Sequence, residues 1–221
     1  MESHDKAAFF RLEGTITSRS TVAAAAWMAS HAQAFSDRLS RLGAVALSTP
    51  FRSVLRDAGT ATRLSWSAVR GMSEDRTILL GEEHYELFYR NTYKESGLEY
   101  LRHSRTDGFV PVLITDSLDV LVHPIAAELG IEHIICNRLE FANGKATGRL
   151  LSPISTGRVS GQQLKELAQG HQWQLGYCRG YGSQETDITL LSSIGHPCAV
   201  TPDRDLRSIA QDLNWPIVER T

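Results

Sequence analysis

Two charged side chains, Arg11 and Glu13, close the apolar run Ala7-Ala8-Phe9-Phe10, and Gly14-Thr15 follows at once. In an extended strand, a spacing of two aims both charged groups to one side while Leu12 turns back toward a core. A guanidinium so placed can hold oxyanions or carboxylates through its rigid fork of donors, and the carboxylate beyond it can take or give a proton. Attack by Arg11 is excluded, because a guanidinium is not a nucleophile. Gly14 permits a bend that brings the backbone close to a ligand above the strand end, and turn amides there can form an anion nest.

Other chemistries find no support in the spacing. Cys136, Cys178 and Cys198 form no C-x-x-C or zinc-ligand pattern and read as small buried residues in a reducing compartment. His84, His103, His123 and His133 lack metal spacing, and no Ser-His-Asp set can be assembled from chain order. The 221 residues carry a formal net charge of -2, which gives no reason to expect a nucleic acid or an anionic membrane as partner. Met1 to Lys6 is polar and lacks a signal-peptide pattern, and the weakly apolar Val22 to Ala29 is too short to span a bilayer. These features predict a soluble, cytoplasmic protein, 42% hydrophobic, with core enough for one domain with an insertion or for two small domains.

The elements that must position Arg11 and Glu13 follow from periodicity. Residues 7 to 11 read as a buried strand. Val22 to Leu47 reads as a long helix broken near Gly43 and stopped at Pro50, Phe51 to Val69 keeps helical spacing interrupted at Gly59, and Ser73 caps a helix opening on Glu74 and Asp75. A further helix closes at Gly108. Phe109 to Ile114 is a second buried strand, ending in Thr115-Asp116-Ser117, and Leu118 to Leu129 the next helix. Ile131 to Leu139 is a strand, and Asn143-Gly144 marks a hairpin. Strands near 177–182, 197–200 and 215–218 alternate with helices over 164–171, 188–194 and 205–213. The alternation predicts an α/β fold with a doubly wound, mostly parallel sheet. Residues 1–21 and 106–221 then form the core, and 22–105 a helical cap inserted after the first strand.

The stretch R-L-E-G-T resembles the first motif of the haloacid dehalogenase (HAD) superfamily, an apolar strand followed by D-x-D-G-T. The resemblance runs through nearly the whole chain and is strongest to the phosphoserine-phosphatase-like branch, over Val112 to Phe141 and Tyr177 to Val218. In that family the first Asp is the nucleophile and the second the general acid/base; Arg11 and Glu13 stand in those places. Thr115 fits the hydroxyl of the second motif and equally suits an N-cap. The fourth motif, G-D-S-x-x-D in the family, reads G-S-Q-E-T-D, with Ser183 at the first Asp and Asp187 at the second. The Lys of the third motif falls on Ser160, with Arg158 within reach. Gly14, Thr15, Gly182 and Asp187 keep the family pattern.

The resemblance therefore implies a ligand-binding set of Arg11, Glu13, Gly14, Thr15, Thr115, Arg158, Ser160, Ser183 and Asp187, and no resident metal. Magnesium on Asp187 and Glu13 is the alternative, since magnesium requires hard oxygen ligands. Three functions are open to such a chain. One is a pseudophosphatase whose site is closed by an Arg11, Glu13 and Asp187 ion pair and which serves a protein partner. The second is a metal-free pocket for a phosphorylated or anionic small molecule. The third is an enzyme, either an active HAD-type phosphatase or an altered hydrolase using Glu13.

Overall fold

The computed structural model describes residues 6–31, 35–53, 57–90, 92–156 and 160–219. Strand β1, Ala7–Arg11, is buried along its whole length, as a continuous apolar run in a parallel sheet must be. Five helices come next, α1 (Thr21–Ser30), α2 (Phe35–Ser53), α3 (Ala58–Ser67), α4 (Glu74–His84) and α5 (Glu95–Thr106), with one π turn, Tyr85–Tyr89, between the last two. Strand β2 (Val110–Leu118), helix α6 (Asp119–Leu129) and strand β3 (His133–Asn137) follow, then the hairpin β4 (Leu139–Ala142) and β5 (Lys145–Leu150). The chain ends with α7 (Ser160–Gly170), β6 (Arg179–Gly182), α8 (Ile188–Ser192), β7 (His196–Val200), α9 (Arg204–Asp212) and β8 (Ile217–Val218).

Six of the strands form one sheet in the order β3-β2-β1-β6-β7-β8, every pairing parallel. The order reverses between β1 and β6, which makes the carboxyl ends of these two strands the topological switch point. Both faces are covered. Phe10 packs with Leu101 of α5 and Val122 and Ile125 of α6, and Phe9 with Leu164 and Ala168 of α7 and Leu190 of α8. The Asn143-Gly144 turn joins β4 and β5 with both residues left-handed, φ 50° and 69°, as a tight hairpin of primed type requires.

Two sequence expectations need correction. Helix α2 runs through both Gly43 and Pro50, and the break falls before it, between α1 and α2. Burial of Val45 and Ser48, with Ser48 Oγ accepting a 2.9 Å bond from Ser65 Oγ of α3, holds the helix where propensity alone would end it. The strand expected over Ile131 to Leu139 is shorter, and Leu139 already belongs to the hairpin. Among the described residues, no helix is long and apolar enough to cross a membrane.

Candidate functional site

Arg11 is the last residue of β1 and is 2% exposed. Its guanidinium meets three carboxylates: Nε lies 2.9 Å from Asp187 Oδ1, Nη2 lies 3.0 Å from Asp116 Oδ1, and Nη2 lies 3.4 Å from Glu13 Oε2. The pair expected with Glu13 and Asp187 is thus a cluster of four, in which no carboxylate is gripped by two parallel bonds. Nη1 is buried without a hydrogen-bond partner. Burial opposes the charge of Arg11, but the fields of Asp116, Asp187 and Glu13 together outweigh it and raise its pKa above the ordinary value.

Asp116 is the member that sequence spacing missed. In a regular strand it would point away from its neighbour Thr115. The β2–β3 register shifts between Ile114 and Leu118. Such an irregularity re-aims side chains, and both residues here reach the end of β1. Thr115 Oγ1 donates to Glu13 Oε1, and Arg11 donates to Asp116. The Asp116 carbonyl accepts bonds from Asn137 Nδ2 at 2.7 Å and Trp66 Nε1 at 3.2 Å, which fixes the backbone beneath the carboxylate. A polar residue in the middle of a buried strand end was the available signal.

Glu13 Oε1 also accepts a 2.8 Å bond from Thr21 Oγ1, at the start of α1. The turn that carries Glu13 depends on Gly14, whose φ is 81° and where a Cβ would lie 2.8 Å from Ser183 Cβ. Thr15 Oγ1 lies 3.3 Å from Ser183 Oγ, and Ser183 Oγ donates a 2.6 Å bond to the Val200 carbonyl. Lys94, at the foot of α5, donates to the Gly14 carbonyl and to Thr201 Oγ1, the latter at 2.8 Å. Gly182 is needed because a Cβ there would sit 2.7 Å from Asp187 Cβ.

The two oxygens of Asp187 are engaged differently, Oδ2 by hydrogen bonds and Oδ1 by an ion contact alone. Oδ2 accepts the amides of Ser183 at 2.8 Å and Gln184 at 3.0 Å, as the acidic half of a capping box, while Oδ1 faces Arg11. Burial, the strongest influence, raises its pKa above the ordinary carboxylate value against the pull of Arg11 and the two amides. Arg11, Glu13, Gly14, Thr15, Thr115, Ser183 and Asp187 therefore converge at one strand-end locus. Ser160 opens α7, and Arg158 lies outside the described residues. No group of three or more His, Cys, Asp or Glu side chains among the described residues is arranged to hold a metal ion.

This strand-end locus at the switch point of a parallel sheet defines a HAD-like architecture, and comparison agrees. The haloacid dehalogenase-like hydrolase family matches residues 8–192, and the chain belongs to that family, in its phosphoserine-phosphatase-like branch. A probable phosphatase of Mycobacterium tuberculosis is 34% identical over 107 residues, 48% of this chain and 37% of that protein. A phosphoserine phosphatase of the same organism is 28% identical over 161 residues, 73% of this chain and 52% of its own length. The chain thus spans about half the length, or less, of these curated relatives. A protein of unknown function from Bordetella pertussis Tohama I superposes with a TM-score of 0.85 at 21% identity, over 98% of this chain and 99% of that one. The phospho-aspartyl intermediate analogue of a phosphoserine phosphatase gives 0.70 at 18% identity, over 98% and 94%. At those identities the structures establish the fold alone.

Proposed function

We propose that this HAD-family, phosphatase-like protein has had its phosphoryl site converted into a closed internal ion network, and that its role is binding or regulation rather than phosphoester hydrolysis. The observation that carries the reading is the buried Arg11 guanidinium set among Asp116, Asp187 and Glu13. The strand-end position that supplies the family's nucleophile offers none here. The donor set also does not fit magnesium: its carboxylates already face a permanent cation, Asp187 Oδ2 is committed to backbone amides, and Ser183 Oγ is turned to Val200. A phosphate is disfavoured too. The Nε and Nη2 donors of Arg11 that would hold it already face carboxylates, and Asp116, Asp187 and Glu13 would stand beside an incoming dianion. The closed site is therefore favoured over an anion pocket, and the function is sought in a partner.

A second reading rests on the relatives, whose names are those of phosphatases and hydrolases. In it the protein hydrolyses a phosphomonoester with Glu13 as acid/base, its Oε2 being buried without a hydrogen-bond partner. A phosphatase assay with phosphoserine and p-nitrophenyl phosphate, with and without magnesium, decides between them. The closed-site reading expects no turnover and no thermal shift with phosphate or vanadate. Turnover that disappears in Glu13→Gln would establish the second reading.

A further inference from the structure

The two outer edges of the sheet are finished differently. At one end β8 is only two residues long and follows Pro216, and a short edge strand and a proline both discourage further pairing. At the other end β3 spans His133–Asn137 with neither proline nor lysine in it, and among the described strands it pairs with β2 alone. An edge of that length presents outward N–H and C=O groups that another chain can pair with. A groove of about 460 Å³ runs along it, lined by Ile134, Ile135 and Cys136 and bordered by His123 of α6 and Leu167 of α7. Exposure alternates here: Ile131, Ile135 and Asn137 are buried, Ile134 and Cys136 are half-buried, and Glu132 and Arg138 are exposed. Glu132, Ile134, Cys136 and Arg138 therefore share one side, and all four line the groove.

We propose that β3 pairs antiparallel with β3 of a second copy of this chain, across a two-fold axis at Ile135, joining the two sheets into one. The sequence is self-complementary about that point. Glu132 meets the partner's Arg138, Ile134 meets the partner's Cys136, and by symmetry each contact is made twice. Directly opposed residues of an antiparallel pair lie on one side of the sheet with Cβ atoms about 4.5–5.5 Å apart, where opposite charges attract and like charges repel. The match is particular to this register. With the axis at Ile134, Glu132 would face Cys136 and Arg138 would face Gly130; with the axis at Cys136, Glu132 would face Glu140. Burial, with the field of Asp119 behind it, pushes the Cys136 thiol up to about 12, so at neutral pH it meets Ile134 as an uncharged group. The axis stands normal to the sheet, so each α6 comes beside the partner's α6 and each α7 beside the partner's α7. That adds helix surface to an interface that needs about 800 Å² from each partner to be stable.

The test is sedimentation equilibrium of the full chain from low micromolar to submillimolar concentration, where the native protein should follow a monomer to dimer equilibrium. Glu132→Lys sets like charges opposite each other at two places and should weaken the dimer about tenfold, and Arg138→Glu should do the same. The double variant, Glu132→Lys with Arg138→Glu, exchanges the two charges and should restore the native constant. Both side chains are exposed, so the far-ultraviolet circular dichroism of every variant should match that of the native chain. Glu83→Lys reverses an exposed charge on α4 and should leave association unchanged. A native chain that stays monomeric overturns the proposal, even where a peptide or another protein is found on this edge. A dimer indifferent to both single reversals also overturns it, as do single reversals that the double variant fails to rescue.

Discussion

Arg11 and Arg207 both pair a guanidinium with carboxylate, in opposite surroundings. Arg207 grips Glu219 through both terminal nitrogens, one bond measuring 3.0 Å, while the two side chains are 37% and 61% exposed. The Arg11 side chain is 3% exposed, makes no two-pronged grip, and has two nitrogens, Nε and Nη1, without a hydrogen-bond partner. By geometry alone the surface pair is the better bond. Its contribution is nevertheless the smaller, because water offers each exposed group an equivalent partner, whereas the buried carboxylates of Asp187, Asp116 and Glu13 face the Arg11 guanidinium out of reach of solvent. Burial converts a mediocre geometry into a dependence.

The largest expected effect is therefore that of Arg11→Ala. It removes the buried cation that Asp187, Asp116 and Glu13 face and should cost about 3–5 kcal/mol, the usual loss when one partner of a buried pair is removed. Urea denaturation measures it; a loss below about 1 kcal/mol would mean that water reaches the cluster and that the two regions are alike. Next comes a change of cation. Arg11→Asp combined with Ser183→Asp restores the family's charge pattern, and the variant should gain about 2.7 kcal/mol at magnesium one hundred times its dissociation constant. The native chain should show no shift under the same conditions. A melt in which both respond equally would show that Arg11 does not occupy the cation's place.

His84 sharpens the comparison from the other side, as a buried group without a charged partner. It packs against Trp27, Phe88 and Tyr89 with Nδ1 unpartnered, and burial, aided by the field of Arg19, pushes its pKa down to about 4. The unfolded chain then binds the extra proton first, near pH 6.5. The stabilisation due to neutral His84 is complete above that pH and is lost as pH falls toward 4, on the order of 2 kcal/mol. In His84→Phe, which keeps a ring in the cluster, stability should fall less steeply between pH 6.5 and 4. An identical slope would show that the imidazole is hydrated in the folded state.

The chain's pattern made the parallel sheet and the position of β1 legible, because a continuous apolar strand ending in charge has few other readings. It made Arg11, Glu13, Ser183 and Asp187 legible as neighbours, because the glycine turns that present them keep the family spacing. Asp116 was hidden by strand alternation, which assigns it to the wrong face unless the register shift after Ile114 is known. Lys94 and Thr21 were hidden because side-chain approaches from the helices after β1 leave no periodic trace. Gly43 and Pro50 misled for a different reason: helix breakers act through local propensity, and the packing of α2 against α3 outweighs a penalty of a few kcal/mol at most.

The smallest expected effect is that of Arg207→Ala. The hydrogen bond with Arg207 holds the Glu219 carboxyl below its ordinary value, so whatever the pair contributes is present above the unfolded pKa and lost as pH falls through the folded one. Both groups are in solvent, however, and their attraction is screened within a Debye length of about 8 Å at physiological salt. The urea midpoint of Arg207→Ala at neutral pH should therefore match that of the native chain within experimental scatter, and 0.5 M salt should not separate them further. A midpoint displaced as far as that of Arg11→Ala would mean that two-pronged geometry, and not burial, sets the value of a guanidinium pair in this fold.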